Sequence, residues 1–364
     1  MKSKRIIPLL IMVAFLSGCS FTEISGFSYE PNRSRYTDAQ KAYIMSTNYS
    51  DTTPYNGNMS VSAPNPQIFK WDAKGVKDFT VSFYRDEELK DLAVTYVTKE
   101  KQLEFYNSEL GTHYYVTIGG KDLEPLTIEY ECIESGPRNL YIEGVENVRD
   151  LGGWTNKIKQ GMIYRSGRFN DDKETTPKAS ILDSGLYEVK NHLKIKTEID
   201  LRRTSTNEVG GLTNKSVLGD DVNYVQLPMY YGGNNILTFT GKASNDTYEY
   251  NNPAMIKQFF EILADSNNYP IDFHCPIGKD RTGCLAYLVE ALLGFNEECL
   301  YRDYMFTNFA NAGMCKVTDI SERYGATLSA YEGTSLANKT YKYLNEVVGV
   351  STANLDSVIS ILSR

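Results

Sequence analysis

The residues with the clearest potential for chemistry lie in one short segment, residues 269–283. Cys275 is followed six residues later by Arg281, with Gly278 between them where the chain must turn. An apolar, strand-like run comes just before the cysteine, and a helical pattern begins just after the arginine. A loop that joins a strand to the start of a helix directs its backbone amides toward one point, which is typical of an anion site.

A cysteine at such a point would lose its proton readily, because the loop amides, the helix dipole and Arg281 all favour a thiolate. The same groups would hold the oxygens of a phosphate monoester, with the guanidinium of Arg281 forming two parallel hydrogen bonds. Cys275 could then attack phosphorus and form a cysteinyl-phosphate, and a nearby acid would protonate the leaving oxygen. The alternative is a buried structural cysteine at the end of a core strand.

The elements around this loop predict an α/β domain over residues 139–364. Strand-like apolar runs at 197–201 and 269–273 alternate with helical stretches at 253–263, 283–293 and 300–309. This alternation predicts a central mixed or parallel sheet flanked by helices.

A different pattern precedes that domain and predicts a small all-β sandwich over residues 61–138. Phe79, Val81 and Phe83 alternate with polar residues, as in half-buried antiparallel strands. Trp71 and the segment 111–114, which ends in a tyrosine, resemble the buried tryptophan and tyrosine corner of a fibronectin/Ig-like sandwich.

The N-terminus reads as an export signal. Basic residues at positions 2, 4 and 5 precede an apolar run, 6–16, that is too short to span a membrane. The sequence Leu16-Ser17-Gly18-Cys19 then resembles the bacterial lipoprotein cleavage box. We therefore expect a lipoprotein-type signal peptide over 1–18, lipidation of Cys19 and a tether over 19–60, in a protein anchored to a bacterial membrane outside the cytoplasm. The alternative is an ordinary cleaved signal.

Composition narrows the function further. The 364-residue chain carries a formal net charge of −8, which argues against a nucleic-acid partner. It has only three histidines, so we expect neither a His-rich metal site nor a cofactor. Of six cysteines, five remain after Cys19, an odd number that leaves at least one thiol without a partner in the chain.

Five segments together resemble the bacterial tyrosine/serine phosphatase family, a cysteine-dependent branch of the protein tyrosine phosphatases. They are His274–Gly283, similar to the family's signature loop, and Asn147–Gly153, Tyr164–Gly167, Ile199–Arg202 and Arg302–Asn308, in the order the family has them. The resemblance covers about 140–364 and implies a protein tyrosine phosphatase-like fold. One feature departs from the family: Thr206 stands where an acidic residue is usual, and Glu208 comes two positions later.

The resemblance implies a role for each loop residue. Cys275 would be the nucleophile and Arg281 the phosphate clamp, while Asp280 would be the general acid, with Asp200 as its rival. The residues expected to bind substrate are Pro276, Ile277, Gly278, Lys279, Thr282, Asp200 and Arg202. For Thr282 the alternative is a helix-capping hydroxyl, and for Lys279 a solvated surface charge. Arginines 149, 165, 202 and 281, with Lys279, would form a basic pocket for an anionic substrate.

These observations predict a membrane-anchored phosphatase that hydrolyses phosphotyrosine, with phosphoserine, phosphothreonine and phosphoinositides as further candidate substrates. The expected partners are a phosphorylated protein, a phospholipid or an inositol phosphate, and the membrane itself. Two alternatives remain open: a hydrolase that scavenges inositol polyphosphates or other small phosphoesters, and a surface-binding lipoprotein whose phosphatase domain is inactive.

Overall fold

The structure, a computed structural model, describes residues 22–56, 62–170, 180–203, 215–232, 236–243, 247–310, 312 and 314–364. These residues divide into two units. Among the described residues, the first comprises 22–35 and 65–134, and the second 36–56, 62–64 and those from 135 to 364. The predicted signal peptide, Cys19, Thr206 and Glu208 all lie outside the described residues.

The first unit is an all-β domain of two antiparallel sheets. One has the order β1-β2-β5 and the other β4-β3-β6-β7. Their bounds are β1 (Ser25–Tyr29), β2 (Gln67–Asp72), β3 (Phe79–Tyr84), β4 (Leu92–Thr98), β5 (Gln102–Phe105), β6 (His113–Gly120) and β7 (Leu126–Glu131). This confirms the all-β domain that the alternating pattern predicts.

Aromatic side chains from both sheets of this unit form its core. Phe69 on β2 meets Phe83 on β3 edge to face, and Phe83 stacks on Phe105 of β5 at 4.0 Å between ring centroids. Trp71 is buried, and the hydroxyl of Tyr114 accepts a hydrogen bond from the amide of Glu109 at 2.9 Å. Offset and edge-on pairs of this kind stabilise a core beyond the area they bury.

Helices surround a six-stranded sheet in the second unit. The helices are α1 (Asp38–Met45), α2 (Thr53–Asn56), α3 (Asp183–Tyr187), α4 (Asn252–Leu263), α5 (Asp280–Leu292), α6 (Glu297–Phe306), α7 (Val317–Ile320), α8 (Ala326–Ser329), α9 (Leu336–Lys342) and α10 (Thr352–Leu362). Three π-helical segments (Glu188–Leu193, Ser321–Gly325, Tyr343–Val348) and two 3₁₀ turns (Ser266–Asn268, Thr307–Phe309) extend or follow them.

The sheet has the order β12-β11-β15-β10-β9-β8 and is mixed, as predicted. Its strands are β8 (Arg138–Asn139), β9 (Arg149–Asp150), β10 (Ile163–Ser166), β11 (Thr197–Asp200), β12 (Asn223–Gln226) and β15 (Ile271–His274), while β13 (Thr240–Lys242) and β14 (Glu249–Asn251) form a separate hairpin. Strands β10, β11 and β12 run parallel to their neighbours around the central β15, and β9 and β8 are antiparallel. All four residues of β15 are buried, as expected for a central parallel strand.

Three parallel strands end level with one another and so define one edge of this sheet. Ser166 at the end of β10 and Asp200 at the end of β11 both pair in register with His274, the last residue of β15. The loops that follow these strands therefore leave the sheet side by side. In open α/β sheets, binding sites form at this carboxyl edge.

Three segments of the predicted tether form secondary structure, namely β1, α1 and α2. Strand β1 pairs with β2 in the first unit, and α1 packs Tyr43 into the core of the second. Thr37 and Gln40 form a reciprocal capping box at the start of α1, and the guanidinium of Arg302 donates to the Tyr43 carbonyl at 2.9 Å. The polar composition of this stretch hides these elements, because each depends on only a few buried side chains. No helix among the described residues is long and apolar enough to cross a membrane.

Candidate active site

The loop between β15 and α5 holds the predicted nucleophile and clamp. Cys275 directly follows β15, and Arg281 is the second residue of α5. The two residues are 2% and 3% exposed. Gly278 has a φ of +69°, and a Cβ there would lie 2.5 Å from the Ser166 carbonyl oxygen. Only glycine satisfies both the left-handed backbone and this close approach to β10.

Hydrogen bonds from the neighbouring segments fix the loop by its carbonyl groups. The side-chain amide of Asn147 donates to the carbonyls of Ile277 (3.0 Å) and Gly278 (3.1 Å). Arg165 donates to the same Gly278 carbonyl at 2.8 Å. Arg168 donates to the Pro276 carbonyl through both its backbone amide (3.2 Å) and its guanidinium (2.9 Å).

This pattern determines where the loop amides point. In a trans peptide, the carbonyl of one residue and the N–H of the next lie on opposite sides of the peptide plane. The N–H groups of Ile277, Gly278 and Lys279 therefore face away from the donors that hold the preceding carbonyls. The first-turn amides of α5 add to them, since the start of a helix leaves its N–H groups without intrahelical partners. This arrangement suits an anion.

The clamp residue is positioned from two other segments. One terminal nitrogen of Arg281 donates to the carbonyls of Leu201 (3.1 Å) and Met229 (3.4 Å), which follow β11 and β12. The Tyr231 ring lies against the same guanidinium, with 4.8 Å between the guanidinium carbon and the ring centroid. Arg281 is thus fixed by backbone acceptors and one aromatic ring.

Two arginines of the predicted basic pocket, Arg149 and Arg165, form ion pairs inside the fold. Arg149 and Arg165 are buried and both pair with Asp303 of α6, which also accepts from the Trp154 indole at 3.1 Å. Burial opposes the ionisation of Asp303, but the two guanidinium groups outweigh it and lower the pKa of that carboxyl. Arg149 and Arg165 therefore connect β9, β10 and α6 instead of offering charge to a substrate.

Asp200 and Arg202, both predicted to bind substrate, form a buried ion pair. The guanidinium of Arg202 donates to both carboxylate oxygens, at 2.9 Å and 2.6 Å, and the Tyr224 hydroxyl donates at 2.8 Å. Burial works against the charge on Asp200, yet Arg202 and then His274 lower its pKa to about 2. Asp200 is therefore ionised near neutral pH and cannot donate a proton there. His274, in turn, is held by Glu198 at 2.9 Å.

Asp280, the rival candidate for the acid, remains at the loop. It is the first residue of α5, and its side chain is 20% exposed. One carboxylate oxygen lies 3.3 Å from the Arg323 guanidinium, which also pairs with Asp319 at 3.5 Å. The Tyr324 hydroxyl donates to the Asp280 carbonyl at 3.0 Å. Because this carboxyl is at the loop and is reached by solvent, the geometry favours Asp280 over Asp200.

Lys279 and Thr282 are each expected either to bind substrate or to be a surface charge and a helix cap, respectively. The ammonium of Lys279 donates to the Met314 carbonyl at 2.7 Å, so this lysine is turned toward the segment after α6. The Thr282 hydroxyl is buried and has no hydrogen-bond partner among the described residues, so it is not a helix cap. It remains available to a group bound in the loop. Pro276 and Ile277 are half-buried.

No other cysteine among the described residues has a comparable setting. All five described cysteines are free thiols. Burial raises the pKa of Cys284 strongly, and it raises the pKa of Cys315 to about 12. Buried thiols of this kind stay protonated and inert.

Four residues of this site were not singled out from the sequence: Asn147, Arg168, Tyr231 and Arg323. Asn147 lies within a motif that the sequence displays, but nothing in its spacing indicates contact with a loop 130 residues away. Arg168 directly follows such a motif. Tyr231 and Arg323 lie in no recognisable pattern.

The geometry of the loop defines a class, the cysteine-dependent phosphatases, which hydrolyse phosphoric monoesters. A family model described as "Tyrosine phosphatase family" matches residues 140–364, and the chain belongs to this family.

Two named relatives agree with this. A candidate tyrosine-protein phosphatase of Cupriavidus necator is 23% identical over 248 residues, which cover 62% of this chain and 84% of that protein. OCA1 of Meyerozyma guilliermondii, also a candidate tyrosine-protein phosphatase, is 28% identical over 106 residues, 26% of this chain and 57% of that protein.

Solved structures show a more distant likeness. The catalytic domain of the PP-IP phosphatase Siw14 from S. cerevisiae has 16% identity and a TM-score of 0.28, over 46% of this chain and 84% of that chain. TpbA of P. aeruginosa has 15% identity and a TM-score of 0.31, over 54% of this chain and 91% of that chain. The family assignment rests on the sequence match.

Proposed function

We propose that this phosphatase hydrolyses phosphotyrosine through a cysteinyl-phosphate intermediate, with Cys275 as nucleophile, Arg281 as phosphate clamp and Asp280 as general acid. The observation that carries the proposal is the fixed loop. Its carbonyls are held by Asn147, Arg165 and Arg168, so its amides face away from these donors, next to a buried cysteine. An arginine held by two backbone carbonyls completes the set of donors.

The reaction would proceed in two displacements. In the first, the Cys275 thiolate attacks phosphorus, an S–P bond forms, the ester P–O bond breaks, and Asp280 gives its proton to the leaving oxygen. In the second, Asp280 takes a proton from water, the resulting hydroxide attacks phosphorus, and the S–P bond breaks. Inorganic phosphate leaves, and the thiolate and the protonated acid are restored. The loop amides and Arg281 stabilise the charge on the phosphoryl oxygens in both steps.

Phosphoserine, phosphothreonine and phosphoinositides are further candidate substrates. The family match supports phosphorylated substrates in general, and the printed names of two relatives refer to tyrosine-protein phosphatases. Hydrolysis of inositol polyphosphates or other small phosphoesters is the competing function. An inactive domain in a surface-binding lipoprotein is the competing class.

A panel of substrates tests these functions directly. The mature full-length chain is assayed with phosphotyrosine, phosphoserine and phosphothreonine peptides, a phosphoinositide and inositol hexakisphosphate, with Cys275→Ser as the blank. We expect the fastest turnover on phosphotyrosine, inhibition by vanadate and no effect of a chelator. Faster turnover of inositol hexakisphosphate would favour the scavenging hydrolase. Absence of turnover on every ester, with tight binding to a surface ligand, would favour the inactive binding protein.

We also propose that the protein is exported and anchored to a bacterial membrane through lipidated Cys19. The support is the basic start, the short apolar run and the cleavage-box sequence that ends at Cys19. Detergent phase partitioning of the protein expressed in a bacterium, compared with Cys19→Ala, tests the anchor. We expect the unaltered chain in the detergent phase and the variant in the aqueous phase. The same distribution for both would refute lipidation at this residue.

A further inference from the structure

We infer that the Tyr231 ring contacts the organic group of the substrate and makes this site prefer an aromatic phosphate ester. The inference rests on the proposed function, since it concerns a phosphate ester bound in the Cys275 loop. The Tyr231 ring is the aromatic group in contact with the clamp, with 4.8 Å between its centroid and the guanidinium carbon of Arg281.

The position of Tyr231 is set by its neighbours. The backbone amide and carbonyl of Tyr230 are both bonded to the buried side chain of Asn252, at 2.9 Å and 2.7 Å. The Tyr230 ring packs against Phe239 at 4.4 Å between centroids and against Tyr250 at 5.7 Å. The residue before Tyr231 is therefore anchored at its backbone and its side chain, and Tyr231 leaves that anchor in a fixed direction.

Tyr231 is reached by solvent, whereas the clamp beside it is buried. Arg281 is almost fully buried, and one of its terminal nitrogens bonds to backbone carbonyls inside the fold. Tyr231, by contrast, is 39% exposed. Its ring thus contacts the guanidinium and is also accessible from solvent.

The distances around Arg281 indicate that the organic group of a bound phosphate ester lies near Tyr231. A phosphate oxygen bonded to a guanidinium nitrogen lies about 2.8 Å from it, which puts phosphorus about 4 Å from the guanidinium carbon. The organic group begins one bond further out. Aromatic rings attract one another at centroid separations of about 4.5–7 Å, in offset or edge-on arrangements. The ring of a phosphotyrosine therefore falls within the range at which Tyr231 can contact it, whereas a phosphoserine has no ring to contribute.

A second cation reinforces this arrangement. The guanidinium carbon of Arg203 lies 5.7 Å from the Tyr231 ring centroid, so two arginines lie near the same ring. Cations attract the electron-rich face of an aromatic ring. These contacts hold Tyr231 near the clamp before a substrate arrives, so less order is lost on binding.

Calorimetric binding of two phosphonates to the full chain tests the inference without requiring turnover. Phenylphosphonate has a ring next to phosphorus, and methylphosphonate does not. Tyr231→Leu should weaken phenylphosphonate binding about two- to tenfold, the size expected for one aromatic pair, and change methylphosphonate binding less than twofold. Tyr231→Phe, which keeps the ring, should bind both as the unaltered chain does. Tyr187→Leu is the matched control, because Tyr187 is 38% exposed on α3 and takes no part in the site.

Each other outcome has a defined meaning. An equal loss for both phosphonates in Tyr231→Leu would show that Tyr231 only positions Arg281, and it would overturn the inference. No loss for either ligand, or no binding of phenylphosphonate by the unaltered chain, would overturn it as well. Failure of the proposed function has a separate signature, which is absence of turnover on all phosphate esters by a chain that still binds the phosphonates.

Discussion

Replacing Asn147 is the sharpest way to test how the catalytic loop is held. Its side chain donates to two loop carbonyls, at 3.0 and 3.1 Å, and its own side-chain oxygen accepts from Arg149. It has a φ of +59°, a left-handed conformation that asparagine tolerates better than most residues. Asn147→Gly removes the side chain and keeps that backbone accessible, whereas Asn147→Ala removes the side chain and strains the backbone as well.

The structure sets the size of both effects. Two hydrogen bonds to the loop at about 0.5–1.5 kcal/mol each, and the bond accepted from the charged Arg149 at about 1.5–3 kcal/mol, predict that Asn147→Gly lowers the free energy of unfolding by about 2.5–6 kcal/mol. Asn147→Ala should cost about 1 kcal/mol more, because an alanine in the left-handed region is strained. Loosening the loop by a fraction of an ångström to 1 Å should lower kcat/KM about 10- to 100-fold in both variants.

Urea unfolding and steady-state kinetics on p-nitrophenyl phosphate measure these quantities. The comparison between the two variants matters most. They differ in backbone strain, which affects the free energy of unfolding, but both lose the side-chain donors to the loop, which affects kcat/KM. We expect similar kcat/KM values and different stabilities. If Asn147→Gly kept kcat/KM within twofold of the unaltered chain, the loop would not depend on these bonds and the reasoning would be refuted.

Three further predictions concern other parts of the structure. Burial raises the pKa of Asp272 to about 7, so between about pH 4 and pH 7 the unfolded chain has lost a proton that the native state keeps, and stability falls as pH rises. Asp272→Asn should remove this group's share of the slope, at most about 1.4 kcal/mol per pH unit, in urea unfolding at pH 5, 6 and 7, and an unchanged slope would contradict the burial argument. Arg323→Ala removes the ion pair that holds the Asp280 carboxylate and should lower kcat/KM about three- to tenfold on phosphotyrosine but little on p-nitrophenyl phosphate, because kcat/KM reports the first displacement and p-nitrophenolate leaves without an acid; equal losses of kcat/KM on the two substrates would contradict this role. Tyr114→Phe removes the acceptor for the Glu109 amide and should lower the free energy of unfolding of the β domain by about 1–3 kcal/mol, with no effect on turnover; an unchanged thermal midpoint would argue against this bond.

The sequence could predict the elements that local patterns determine. The strand before Cys275, the turn at Gly278 and the helix after Arg281 are encoded within 15 residues, and the structure has all three. The alternation around Phe83 likewise predicts the β domain, because period-two burial depends only on neighbouring residues.

Long-range pairing could not be predicted in the same way. From the sequence, Arg149 and Arg165 are predicted to bind a substrate. In the structure both pair with Asp303, more than 130 residues further on. Asp200 is predicted as a possible acid because the sequence does not show that its pair with Arg202, two residues further on, is buried. The sequence shows which side chains are charged. Whether a charged side chain can bind a substrate depends on which residues the fold places beside it.

The same limit applies to the segment before the first domain. Its polar composition indicates a tether, yet a few buried contacts are enough to fold part of it. Tyr43 is fully buried beside Arg302, a residue 259 positions away. The sequence pattern within residues 19–60 cannot show a contact with a residue so far along the chain.

Trapping the phosphoryl group on Cys275 tests the central claim most directly. In Asp280→Asn the second displacement lacks its base, while p-nitrophenyl phosphate still allows the first, because its leaving group needs no proton. Acid quenching of this variant during turnover, followed by digestion and mass spectrometry, should show one phosphoryl group on the peptide that contains Cys275. A burst of p-nitrophenol with no phosphoryl group on that peptide, or undiminished turnover by Cys275→Ser, would contradict the account.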